Sequence, residues 1–148
     1  MNCAFFGHSD CPCTVKDRIK EEITNLYLNY NIKYFYVGNN GNFDYLVQSV
    51  LLELSKSIVD LSFYIILSRP DEKIEKTLTY YTVYPDCLND VPHKFKISKR
   101  NNWLIKNSSF IITYTSRYIS NSYKLVRKAR KRGLHIINVS DIDISFDL

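Results

Sequence analysis

Lys33-Tyr34-Phe35-Tyr36-Val37 runs into Gly38-Asn39-Asn40-Gly41-Asn42, after which Phe43, Leu46, Val47, Val50, Leu51 and Leu54 recur at helical spacing. The aromatic, β-branched run reads as a strand and the apolar stripe as an amphipathic helix, with Asn42 as its expected cap. The glycines between them let the chain turn sharply and leave main-chain N–H groups open to a ligand. This unit of strand, glycine loop and helix decides the fold if it recurs.

It does recur. Cys3-Ala4-Phe5-Phe6 ends in Gly7-His8-Ser9, and from Val15 the residues Ile19, Ile23, Leu26, Tyr27 and Tyr30 mark a helix, with Thr14 and Asp17 at the spacing of a capping box. Leu61 to Leu67 is a continuous apolar run, as expected of a parallel strand covered on both faces. Asp71 to Pro92 carries Pro85, Pro92, Tyr80, Tyr81 and Tyr84 without a clear period, and reads as a long ordered connection holding a helical turn or two. Beyond it, Ser98 to Ile105 reads as a helix, Phe110 to Tyr114 as a strand, Ser122 to Lys131 as a helix closed by Gly133, and His135 to Val139 as the last strand. Five strands separated mainly by helices predict a Rossmann-like three-layer α/β domain over residues 1–148. Its sheet is mainly parallel, five-stranded or slightly larger, with right-handed crossovers. Ligands meet such sheets beyond the carboxyl ends of the strands, where the strand order switches.

The composition fits a globular chain of 148 residues with 45% hydrophobic and 24% charged residues, and excludes a disordered one. No apolar run reaches the roughly 18 residues of a membrane span, and nothing at the amino terminus resembles a secretion signal, so a cytoplasmic protein is expected. Cys3, Cys11, Cys13 and Cys87 match no common disulfide or zinc spacing; reduced thiols and no metal site are expected, with Cys11 and Cys13 open to oxidation. The net charge of +5 is uneven: no acidic residue falls between Asp90 and Asp141, whereas Lys94, Lys96, Lys99, Arg100, Lys106, Arg117, Lys124, Arg127, Lys128, Arg130, Lys131 and Arg132 all do. An anionic partner is implied. The run from Lys124 to Arg132, late in a helix, reads as a solvated face that also suits the macrodipole. The 12 tyrosines and 8 phenylalanines lead us to expect a homodimer.

Neither glycine loop is a Walker A or a G-x-G-x-x-G loop. What converges on the predicted edge is Gly7, His8 and Ser9, then Gly38, Asn39, Asn40, Gly41 and Asp44, then Arg100 and Asn101, and finally the polar loop Ser120, Asn121 and Ser122. Arg100 has the fork geometry for a phosphate, and the helix start after Ser120 has free N–H groups. Trp103 reads as core, with stacking its alternative, and His8 as a hydrogen-bonding structural group, with acid catalysis its alternative.

Phe5-Phe6-Gly7-His8, Gly38-Asn39-Asn40-Gly41-Asn42-Phe43-Asp44, Tyr84-Pro85, Lys99-Arg100-Asn101-Asn102-Trp103-Leu104-Ile105 and Ile136-Ile137-Asn138-Val139 together resemble the YpsA-like branch of the SLOG superfamily. That superfamily includes the DprA and LOG-type proteins. The resemblance implies a Rossmann-like domain binding a nucleotide-derived ligand, with Asp44 facing a ribose hydroxyl or fixing its loop. LOG enzymes carry Pro-Gly-Gly and a catalytic acid before the last helix, where this chain has Tyr118-Ile119-Ser120-Asn121-Ser122. The expected function is therefore binding without turnover, as a sensor or sequestering protein for an ADP-ribose-like nucleotide, and no cofactor is expected. One alternative is a phosphoribohydrolase using Asp44; the other is a DprA-like single-stranded nucleic-acid binder.

Overall fold

The computed structural model describes all residues, 1–148. Strands β1 (Asn2–Gly7), β2 (Tyr34–Val37), β3 (Ser62–Ile66), β4 (Thr82–Val83), β5 (Phe110–Tyr114) and β6 (His135–Asn138) form one sheet in the order β4-β3-β2-β1-β5-β6. Every neighbouring pair is parallel. Helices α1 (Lys16–Tyr30), α2 (Asn42–Ser57), α3 (Lys96–Lys106) and α4 (Asn121–Lys131) cover the two faces.

Alternation within β1 shows how one strand serves both layers. Cys3 and Phe5 point into the larger core with Ile19, Ile23, Leu26, Val47, Val50 and Leu51 of α1 and α2. Ala4 and Phe6 point the other way, onto Leu104, Ile105, Val126 and Ala129 of α3 and α4. A strand sandwiched like this is apolar at consecutive positions. The strand order reverses at β1, which has β2 on one side and β5 on the other, so the loops after β1 and β5 open the crevice at the switch point.

The sixth strand, β4, lies in the connection read as irregular. It is two residues long, sits on the sheet edge, and is tied by Leu67 N–H to the Val83 carbonyl (2.8 Å), too short to display a period. The expected capping box does not form: Thr14 lies within a 3-10 turn, Cys13–Val15, that leads into α1 with no side-chain cap. Asn42 is the first residue of α2 rather than its cap. Its N–H is spent on the Ser9 carbonyl (3.0 Å), and Gly41 holds the cap position. Gly41 has φ +93°, and a Cβ there would sit 2.6 Å from Ser9 Cα, so both the torsion and the contact with the first loop require glycine.

Candidate functional site

At the switch point the loops after β1, β2 and β5 and the facing sides of α3 and α4 enclose a cleft of about 330 Å³, within the range of small-ligand sites. Of the expected residues, Gly7, His8, Ser9, Gly38, Asn40, Asp44, Arg100, Asn101, Ser120, Asn121 and Ser122 line it. Asn39 and Gly41 do not. The Asn39 side chain turns away, accepting from Gln48 Nε2 (3.0 Å) and donating to the Lys73 carbonyl (3.0 Å), while Gln48 also donates to the Gly38 carbonyl (2.8 Å). A buried amide must find partners, and here they lie under the loop instead of in the cleft. Gly41 supports the wall from behind, against Ser9.

His8 is buried, and its Nε2 accepts the Ser116 N–H (2.9 Å), which joins the first loop to the loop after β5. Accepting at Nε2 requires the neutral ring. Burial pushes its pKa down, with Arg117 adding to the effect and Asp10 opposing it. The Arg117 guanidinium pairs with Asp10 (3.1 Å) at the exposed rim, and that hydrogen bond is the main reason the Asp10 carboxyl lies below its usual range. Ser120 caps α4: its Oγ accepts from Tyr123 N–H (3.1 Å) and donates to the Arg117 carbonyl (3.2 Å). The Asn121 and Ser122 N–H groups take no protein acceptor. Such orphan donors at a helix start attract anions.

Arg100 is 3% exposed, and each of its three nitrogens has an acceptor: Nε to Asn101 Oδ1 (2.9 Å), Nη1 to the Ile66 carbonyl (2.9 Å) and Nη2 to Asn40 Oδ1 (2.8 Å). It ties α3 to β3 and to the second glycine loop. Asp44 lies beneath that loop and accepts the Asn40 N–H at Oδ2 (2.9 Å). Gly38 makes room for both groups, since a Cβ there would lie 2.9 Å from Arg100 Nη1 and from Asp44 Oδ2.

Burial drives the Asp44 pKa up to about 6, outweighing the opposing effects of Arg100 and the Asn40 N–H. Because the folded-state value lies above the ordinary carboxylate value, the stability linked to Asp44 is fully present below about pH 4 and is lost as pH rises through about 6. Asp44→Asn removes this term while keeping an acceptor for Asn40. The variant's melting temperature relative to the parent should therefore climb between pH 4 and pH 7, and parallel pH profiles would refute the assignment.

Several cleft residues have no signal in the sequence. Ile97, Ile119 and Leu125 give the cleft an apolar side. Ile119 lies in a polar loop and is 94% exposed, and Ile97, on the first turn of α3, is 51% exposed. All four cysteines are free, and burial pushes the Cys11 thiol up to about 12, away from the reactive thiolate. No cluster of three or more His, Cys, Asp or Glu side chains could hold a metal, and no helix is long and apolar enough to cross a membrane.

Two solved structures superpose on this fold. DNA processing protein A (DprA) from Streptococcus pneumoniae superposes with a TM-score of 0.67 at 15% identity over 91% of this chain and 48% of that one. DNA processing protein A from Helicobacter pylori, a protein with a single-stranded DNA binding mode, superposes with a TM-score of 0.57 at 15% identity over 88% and 62%. The chain has the DprA-type fold. It spans about half the length of the first DprA and under two thirds of the second. No protein-family model and no characterised sequence matches it. The likeness therefore supports the DprA-type Rossmann fold implied by the resemblance and does not reach the YpsA-like branch.

Proposed function

We propose that the protein binds single-stranded nucleic acid across the mouth of the switch-point cleft. One observation carries this reading: the segment that supplies α3, α4 and the loop after β5 to the mouth has no acidic residue between Asp90 and Asp141, leaving Asp10 as the acid at the rim, and exposed apolar side chains are set among its cations. Arg117, Ile97 and Ile119 line the cleft and are exposed; Lys94 and Phe95 are exposed just before α3, Lys124 is exposed next to the cleft residue Leu125, and Lys94 Nζ lies 5.1 Å from the centre of the Phe95 ring. Cations that follow a phosphate backbone, and rings on which bases stack, are what sequence-tolerant single-strand binders combine. The DprA-type fold favours the same reading over a nucleotide sensor, because the H. pylori protein binds single-stranded DNA.

The size of the cleft favours a second reading, a small nucleotide whose phosphate meets the Asn121 and Ser122 N–H groups. Fluorescence anisotropy with a labelled thymidine homopolymer separates the two. The single strand should bind more tightly than a duplex of the same length, and Lys94→Ala and Lys124→Ala should each weaken it. Absence of binding at low salt would overturn the proposal. Stabilisation by an adenine nucleotide or ADP-ribose, about 2.7 kcal/mol at a hundredfold excess over Kd, would then favour the second reading.

A further inference from the structure

The second face of the sheet is unevenly covered. Beneath α3 and α4 the buried cluster is built on Ala4, Phe6, Ile66 and Ile111, whereas Tyr36 of β2 and Tyr64 of β3 are only partly buried against it. With Tyr34, Val83 and Trp103 they line an open groove of about 440 Å³. The Tyr36 and Tyr64 ring centres are 6.0 Å apart, those of Tyr36 and Trp103 are 5.4 Å apart, and Tyr34 is 47% exposed. Rings of this size normally complete a core; here they form a floor with no element above it.

The geometry points to this groove as a stacking site for the bases of a single-stranded nucleic acid, with Tyr34, Tyr64 and Trp103 as the platforms. Charge complementarity selects that occupant. Lys99 and Lys106 stand four residues before and three after Trp103, so they share its flank of α3, and both are exposed. No carboxylate lines the groove. Flat apolar rings beside two cations match a base and its phosphates, and fit a basic or purely aliphatic partner poorly. The groove lies on the other side of α3 from the cleft. The Ile66 side chain lines the groove while its carbonyl receives Arg100 Nη1 in the cleft wall, so only α3, about 10 Å across, separates the two. One strand crossing α3 would reach both. This inference rests on the single-strand reading, and its test must fail separately from that reading.

Trp103 is the only tryptophan in the chain and serves as the probe. Titrating the protein with a thymidine homopolymer should quench its emission in step with the anisotropy signal. Tyr34→Ala and Tyr64→Ala should each weaken binding roughly 5- to 100-fold, while Tyr64→Phe, which keeps the ring, should bind as the parent does. Tyr34 is half exposed, so its variant keeps the fold, and the quenching measurement needs no variant at all. If anisotropy reports binding while Trp103 emission is unchanged and both alanine variants bind normally, the groove is not a base site and the cleft reading survives. If the parent binds no single strand by either signal, both readings fall. Trp103 emission that changes with protein concentration alone, with a sedimenting dimer that the homopolymer does not dissociate, would assign the groove to a second copy and overturn the inference.

Discussion

Arg100→Ala is expected to destabilise the protein by about 3–5 kcal/mol at pH 7, because it removes three hydrogen bonds from a buried cation, each worth about 1.5–3 kcal/mol and less where the acceptor is exposed. Read from the sequence, Arg100 forks onto a ligand phosphate; the structure gives each of its nitrogens a protein acceptor on a different element. Truncation strands the buried Ile66 carbonyl and removes the cation whose field opposes the desolvation of Asp44. Against a total stability of about 5–15 kcal/mol this is a large fraction, and it corresponds to a drop in Tm of roughly 10–20 °C. Arg100→Lys should recover little, because a single ammonium cannot reach three acceptors arranged around a planar fork. Thermal melts decide the matter: a fall of only a degree or two in Arg100→Ala would show that these bonds are not structural. The loss should also shrink at pH 5, where Asp44, already raised to about 6, is mostly protonated and no longer needs a counter-charge.

The same residues show what a sequence can and cannot reveal. β5 is legible to the residue because Phe110 to Thr113 are all buried and a run apolar on both faces is a local signal. The glycine loops are legible because a missing Cβ is itself visible. The direction of a polar side chain is not local. Asn39 and Asn40 are neighbours of identical chemistry, yet one is turned beneath the loop by Gln48, nine residues on, and the other is claimed by Arg100, sixty residues on. The role of Arg100 depends on Ile66 and Asn40, partners that only the sheet order brings together. Ser120 reads as part of a ligand loop; it lines the cleft and also caps α4, which its sequence does not mark because the helix starts one residue earlier than the apolar period does.

Salt should separate the cations that meet the nucleic acid from those that only solvate a helix. Lys94, Lys99, Lys106 and Lys124 lie on or next to the elements that form the cleft and groove and are exposed. Lys96 is held by the Tyr84 hydroxyl (2.8 Å) and Arg117 by Asp10 (3.1 Å), so both are left out of the set. Four phosphate contacts on a single strand give a slope of log K against log salt of about −2.8, and affinity should fall about 50-fold between 50 and 200 mM salt. Replacing Lys94 or Lys124 by alanine should lower the magnitude of the slope by about 0.7 for each phosphate no longer neutralised, whatever the base sequence. The late cations of α4 provide the control. The helix carries them about 15 Å from its start at the cleft, Lys128 bonds Asn102 (2.6 Å), and Arg130 pairs with Asp147 (3.2 Å). Substituting Arg130, Lys131 and Arg132 by alanine should therefore leave the slope unchanged. A slope that drops with this triple substitution and not with Lys94→Ala or Lys124→Ala would move the nucleic acid off the cleft and onto the far end of the helix.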